Sequence, residues 1–491
     1  MIKVFQIVAA FMCCLCMCSV AQSQILSKES FVLDPNLRQD EPIPGLISNS
    51  ITDITFLNGV MWLGAGRGLS KTSDSGLTFE SFNRQHGIGR GGVSAIAQRD
   101  DIIWVATGFD SVNSIGNFQT GGGLAYSNNF GLNWNFVPQP GPTPISNITF
   151  DIALRDDEVW TASFGGGLKK STDLGQTWET VAPDSFIFNP NSRLNHRVFS
   201  VINTDGVLWV GTAKGINRSS DGGANWTNFS HDSTRFNQTI SGNFVVCLAR
   251  QQFGNQDNIW AGTRPTTVES GDDTEFFGVS FSGDQGFTWK TTLSGETVHN
   301  INFDGAIVYA ASNNGLWKSS DFGETWFLFP PATSADGARR ILSNKVFDVY
   351  ASPDQKLWLG TGNGLAFTDN NGASWKIVQS FSPTGRDGEA RTYAYPNPFS
   401  PNAHNVLNGD GFVRFQYNTL NDTKITLKIY DFALKYVTTV VENESRIGNS
   451  DLYEIWNGRD KQGRIVHNGV YFYRLELEGD GEFWDKLIVL K

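Results

Sequence analysis

The sequence predicts an all-β protein: a seven-bladed β-propeller followed by a small β-sandwich. Three observations lead there. An eight-residue motif recurs seven times along the chain. An aromatic-led strand element precedes every copy. Of the 15 tryptophans, 12 occupy just two positions of that repeat. A unit that cannot bury its own apolar face must stack on its neighbours, so a repeat of this length implies a ring or an array.

The chain opens with MIKVFQIVAAFMCCLCMCSVAQSQ. One lysine precedes an apolar run, and Ser19 and Ala21 are small residues placed for cleavage, so residues 1–21 read as a secretory signal peptide. A lipoprotein start at one of the early cysteines is the alternative. Four of the five cysteines fall inside the leader. Cys247, in the run FVVCLA, reads as a small buried hydrophobe, and a single cysteine forms neither an internal disulfide nor a cysteine metal site. Residues 22–47 read as a lead-in. No later stretch is apolar enough to span a bilayer. The net charge of −11 argues against nucleic acid as a partner.

Residues 48–380 carry the repeat. The copies are TSDSGLTF (72–79), SNNFGLNW (127–134), STDLGQTW (171–178), SSDGGANW (219–226), SGDQGFTW (282–289), SSDFGETW (319–326) and TDNNGASW (368–375). The preceding element is led by Trp62, Trp104, Trp160, Trp209, Trp260, Tyr309 and Trp358. Each unit holds four short strand patterns separated by Asn/Asp-Gly and Gly-rich turns, as in RVFSVINTDG, VLWVGTAKG, INRSSDGG and ANWTNFS. Four antiparallel strands per unit, seven times over, make a seven-bladed propeller.

The motif spans the turn between the third and fourth strands. Its glycine supplies a positive φ. Its carboxylate and hydroxyl accept backbone N–H groups. Asp74, Asp173, Asp221, Asp284 and Asp321 take the carboxylate position, and Asn129 and Asn370 replace it in two copies. An amide keeps a structural acceptor but not a catalytic carboxylate, so the motif reads as a turn staple. The seven copies resemble the Asp-box, or BNR, repeats of sialidases, sortilin-type receptors, xyloglucanase-type glycosidases and photosystem-assembly propellers. In those families the box is a fold element on the propeller rim. The resemblance covers the ring and implies fold far more than function.

If the first strand of each blade descends from a top face, the boxes lie on the bottom. The long segments 83–92, 109–123, 138–147, 183–197, 231–243, 263–278 and 330–345 then lie on top, where binding loops gather on rigid scaffolds. They carry Arg84, His86, Arg90, Arg193, His196, Arg197, His231, Arg235, Arg264, Arg339 and Arg340, with Glu269, Asp272, Asp273 and Glu275. The binding set expected from them is Arg84, His86, Arg193, His196, Arg197, Arg235, Arg264, Asp272, Glu275 and Arg339, as a polar pocket for a glycan or an anionic group, the expected partner being a glycan or a protein. Solvated loop charge is the structural alternative. No cofactor or metal motif is present; GAGRG and GTGNG are hairpin glycines at one blade position.

Enzymatic sialidases place a Tyr/Phe-Arg-Ile-Pro motif near the domain start. Here the comparable stretch is Pro42-Ile43-Pro44-Gly45, without arginine. That family has six blades, and xyloglucanase-type enzymes use two propellers. A glycosidase needs two carboxylates at a defined separation, and the sequence selects no pair. The chain therefore reads as a non-enzyme, with a secreted glycan hydrolase or lyase as the alternative.

Residues 381–392 read as a linker, and 393–491 as a domain of alternating strands without a Cys–Trp–Cys pattern, an Ig-like sandwich. The residues YPNPF (395–399), LKIYD (427–431), WNGRDKQGRIVHNGVYFYRL (456–475) and KLIVLK (486–491) resemble the FlgD-like Ig-like module of exported bacterial proteins. Asn457 and Leu434 depart from its usual Asp and Gly. The resemblance extends to type IX secretion sorting domains and implies a sorting or anchoring role through an export machinery. The expected product is a monomeric protein, secreted or held on the outer surface of a Gram-negative type of bacterium.

Overall fold

The structure, a computed structural model, describes residues 41–113, 116–142, 146–235, 237–266, 276–337, 339–385 and 389–491. The expected signal peptide and most of the lead-in lie outside the described residues, as do Asp272 and Glu275. The chain forms two compact units, one running to Ile341 and resuming over Lys345–Ser380, the other comprising Leu342–Asn344 and Phe381–Lys491.

Between Ile51 and Val378 seven antiparallel sheets follow one another, each built from four consecutive strands. Their first strands are Ile51–Leu57, Gly92–Arg99, Thr149–Arg155, Val198–Thr204, Val245–Phe253, Val298–Asp304 and Val346–Ala351. Each touches the next, and the last touches the first. They form the inner wall of a closed ring, so the first unit is a seven-bladed propeller. The tight turns from first to second strand have the expected chemistry. Asn58-Gly59 and Asp205-Gly206 both hold two successive positive φ angles.

The two repeated elements meet across blade boundaries. Trp62, Trp104, Trp160, Trp209, Trp260 and Trp358 are all at most 1% exposed. Burying an indole removes ~150–250 Å² from water, on the order of 4–6 kcal/mol each before entropy is counted. The box glycine of the following blade closes over most of them. A Cβ on Gly131 would lie 2.9 Å from Trp62, and one on Gly323 2.7 Å from Trp260. The position before the glycine also adopts positive φ, at Ser75, Phe130, Leu174, Gln285, Phe322 and Asn371. Non-glycine residues pay a steric penalty there, and the staple described below holds them in place.

Ring closure uses no strand exchange, because each sheet is contiguous in sequence. Side chains join the last blade to the first. Asn49 Nδ2 donates to the Ser380 carbonyl at 2.7 Å, and its Oδ1 accepts the Ser380 N–H at 2.6 Å. Gly76 of the first blade sits against Trp358 of the last. The lead-in strand Ile43–Pro44, which includes the stretch compared above with the sialidase motif, pairs with Glu80–Phe82 as a fifth strand covering the first blade's outer edge.

The second unit is a two-sheet sandwich. One sheet orders Thr392–Tyr395, Val413–Thr419 and Ser450–Trp456; the other orders Tyr436–Arg446, Thr423–Tyr430, Gly469–Leu477 and Gly481–Val489. Phe415, Tyr417, Ile425, Leu427, Tyr473 and Leu475 interdigitate between them. Phe381 packs on Tyr453 within this unit, at 5.7 Å between ring centroids. The proline-rich stretch after Tyr395 bends rather than continuing as a strand, with cis peptides before Pro396 and Pro398.

Candidate functional site

Every first strand carries a β-bulge near its start. The register slips between Ile51 and Asp53, Val93 and Ala95, Thr149 and Asp151, Val198 and Ser200, Val245 and Cys247, Val298 and Asn300, and Val346 and Asp348. A bulge leaves one extra residue unpaired and re-aims its side chain. The extra residues are Thr52, Ser94, Phe150, Phe199, Val246, His299 and Phe347. Because the first strands are the inner wall, these seven side chains ring the axis where the strands begin, on the face opposite the boxes.

The wider half of that mouth is aromatic. Phe150 and Phe199 lie 5.5 Å apart between ring centroids, Phe199 and Phe244 4.5 Å, and Phe164 and Phe199 6.2 Å. The Arg197 guanidinium stands 5.1 Å from the Phe164 ring. Across the mouth, His299 meets Phe347 at 5.6 Å, and Arg264 Nη2 lies 3.1 Å from His299 Nδ1. Burial and the Arg264 charge push the His299 ring down to about 4. It is therefore neutral near pH 7, with Nδ1 accepting from Arg264 and Nε2 donating to Asn313 Oδ1. This arrangement presents π faces flanked by cations, suited to sugar rings or apolar side chains with polar neighbours.

Of the expected binding residues, Arg197 and Arg264 stand at this mouth. The others do different work. His196 is fully buried, stacked on Phe188, accepts the Asn189 N–H at 2.8 Å through Nδ1 and contacts Asp184 Oδ1 at 2.9 Å through Nε2. It latches the 183–197 loop rather than facing a ligand. Burial opposes ionisation of Asp184, but the His196 hydrogen bond and others hold its carboxyl below the ordinary range. Arg193 stacks on Phe186 at 3.4 Å in the same loop. His86 joins a capping box with Asn83 and reaches the Glu41 carbonyl at 2.9 Å; Arg84 is exposed beside it.

Arg235 and Arg339 lie on segments that run down the outer flank. The Trp289 N–H donates to the Gln238 carbonyl at 3.2 Å, and the Trp375 N–H to Thr333 at 3.0 Å. Both tryptophans begin a fourth strand. At Gln238 and Thr333 these two links therefore lie against the outer, fourth-strand edges of their blades rather than over the top face.

The boxes are uniform staples. In SSDFGETW, Ser319 Oγ accepts the Gly323 N–H at 2.7 Å and donates to Asp321 Oδ1 at 2.7 Å. Asp321 Oδ1 also accepts the Thr325 N–H at 2.9 Å, and Oδ2 accepts the Thr325 hydroxyl at 2.6 Å. Residue seven, overlooked as a motif position, makes the same bond at Thr78, Thr177 and Thr288, and as an amide at Asn225. These donors hold the carboxyls of Asp74, Asp173, Asp221 and Asp321 down to about 2. Asn129 accepts the Asn133 N–H at 3.0 Å, and Asn370 the Ser374 N–H at 3.0 Å, so the amide preserves the backbone half of the staple.

The phenylalanines were overlooked in favour of charged residues, although a signal exists. The tetrads ITDI, VSAI, TFDI, VFSV, VVCL, VHNI and VFDV align at the start of each blade. Their second position is the bulge residue that faces the mouth, and it is aromatic or His in four of the seven.

No family model matches the chain, and no curated protein sequence matches it. Solved structures do. A crystal structure titled as an ancestral GH74 enzyme aligns over 91% of this chain and 62% of its own, at 14% identity and TM-score 0.52. The extracellular domain of the one-component system BT4673 from B. thetaiotaomicron aligns over 78% of this chain at 16% identity and TM-score 0.46. PorZ, a surface component of the type-IX secretion system of Porphyromonas gingivalis, aligns over 89% of this chain and 65% of its own, at 15% identity and TM-score 0.35. The chain spans 45% of the length of the BT4673 domain. At these identities the likeness concerns architecture alone, and the chain has an all-β propeller fold.

Proposed function

We propose that the protein is an exported bacterial surface protein whose propeller binds a glycan or protein ligand at the bulge-lined mouth of its axis. The observation that carries this reading is the ring of bulge residues. Seven positions equivalent by repeat are filled by Thr52, Ser94, Phe150, Phe199, Val246, His299 and Phe347, so four of the seven place a ring at the mouth. Phe150, Phe164 and Phe347, partly exposed over the buried Phe199 and beside Arg197 and Arg264, suit recognition. In this reading the seven turns are Asp-box repeats, and the sandwich is a FlgD-like Ig-like module serving export or attachment. The leader-like first 21 residues support export, and among the described residues no helix is long and apolar enough to cross a membrane.

The test is a glycan and protein-ligand binding screen on the mature chain beside F199A and F347A variants. Retained ligands lost by the variants support the reading; absence of any ligand removes it. For the sandwich, deletion of 390–491 should leave the protein in the periplasm, and unchanged surface delivery would remove the sorting role.

A further inference from the structure

The residue after each bulge points along the inner wall to the neighbouring blade. Asp53 accepts the Ile96 N–H at 2.6 Å, Asp151 the Val201 N–H at 2.8 Å, and Ser200 the Leu248 N–H at 3.2 Å. At the closing seam, Asp348 Oδ2 accepts the Ile54 N–H, and its Oδ1 accepts the Val349 N–H at 2.7 Å and the Asn300 amide. Here alone two successive blades both place a carboxyl at this position. The two carboxyls are close enough for the Asp53 charge to act on Asp348, whose Oδ2 already reaches the residue next to Asp53.

Two like charges side by side in a buried place repel, so one of the pair holds a proton while the seam is closed. We propose that the seam between the first and last blades is a proton-operated latch, closed while Asp53 and Asp348 hold a shared proton and loosened when it is released to solvent. The setting supports this. Asp348 is 1% exposed. Asp53 is half-buried, and burial, with the Asp151 charge, drives its carboxyl up to about 7. Burial and the Asp53 charge raise Asp348 well above the ordinary carboxylate range. The other ionisable groups facing the pair are Asp151, Cys247 and Tyr350, all neutral or anionic. No lysine or arginine forms an ion pair with either carboxyl among the described residues.

The direction follows from linkage. The opened seam exposes both groups, which then titrate near ~4, while the closed pair retains its proton above that. Opening therefore becomes easier as pH rises from about 5 to 7. Ionising the second carboxyl sets two like charges against each other in a poorly solvated place. That repulsion acts on the bond to Ile54, where covalent continuity is absent.

The test is hydrogen exchange by mass spectrometry on the full chain at pH 5, 6 and 7, corrected for intrinsic exchange. Segments 51–57 and 346–351 report the closing seam; 245–253, whose Leu248 N–H is accepted by the Ser200 hydroxyl, reports a seam with no carboxyl as its acceptor, and 198–204 is left out because Asp151 accepts the Val201 N–H. The expected result is at least a tenfold loss of protection at the closing seam from pH 5 to 7, on the order of a tenfold change per proton per pH unit. The Ser200 seam should hold, and D53N should flatten the dependence. Equal protection at all three pH values, equal loss at both seams, or an unchanged slope in D53N would overturn the latch. Should D53N fail to fold, the comparison of seams in the unmodified chain decides alone.

Discussion

Gly323 of the sixth blade lies directly over Trp260 of the fifth: a Cβ at residue 323 would stand 2.7 Å from the indole Cη2. The same glycine has φ of 85°. One position thus answers two demands, a left-handed turn and contact with the neighbouring blade's largest side chain. G323A should lower stability by about 2–4 kcal/mol, combining backbone strain with overpacking. G337A, at positive φ with nothing within 4 Å of its Cβ, isolates the backbone share. Denaturant melts of both variants separate the terms.

Ser319 is 1% exposed and supplies the acceptor for the Gly323 N–H. S319A leaves that buried donor without its partner and should cost about 1–3 kcal/mol. S319T, which restores the hydroxyl as at Thr72 and Thr368, should recover most of it. Chemical denaturation reads both.

Four box carboxyls, Asp74, Asp173, Asp221 and Asp321, are held down to about 2, chiefly by hydrogen bonds from the residue four positions on. The unfolded chain protonates them near ~4. Their contribution is complete above that pH and is lost as pH falls through about 2. Melting temperature should therefore drop steeply from pH 4 to 2. Replacing all four by Asn, as positions 129 and 370 already have, should flatten that limb while lowering the neutral-pH melting temperature slightly.

His196 is fully buried and joins Asn189 to Asp184. H196A removes both contacts and leaves a cavity against Phe188; a loss of about 2–4 kcal/mol follows. Hydrogen exchange should rise over 183–197. Binding at the mouth should weaken less than in R197A, since Arg197 alone of the two stands beside Phe164.

Asn49 and Ser380 clamp the ring's ends with two reciprocal hydrogen bonds. N49A should cost about 1–3 kcal/mol and increase exchange over 51–57 and 346–351 at every pH. That pH-independent rise distinguishes the clamp from the Asp53–Asp348 latch.

The ring was legible in the sequence because its repeat imposes residues that nothing else would select. The box glycine and the strand-two tryptophan recur since they touch each other across most boundaries, as Gly131 does Trp62 and Gly323 does Trp260. The left-handed residue before the glycine was not legible: Phe130, Leu174 and Phe322 give no local signal, and the staple around them overrides their preference. The bulges were hidden for a similar reason, since one unpaired residue barely disturbs an alternating pattern. The candidate site was read only in part. Charged loop residues drew attention, yet His196 and His86 are spent holding their own loops, and Arg235 and Arg339 follow links that lie against strand edges.

The central claim is that the bulge-lined mouth binds a ligand. Its most direct measurement is the retention of labelled mature chain on combined glycan and peptide arrays, beside the F199A/F347A double variant. A defined subset of features should retain the unmodified chain and lose the double variant by at least about tenfold, the loss of 1.4 kcal/mol or more expected when aromatic contacts are removed. Equal retention of both proteins, or no retention above background for either, would contradict it.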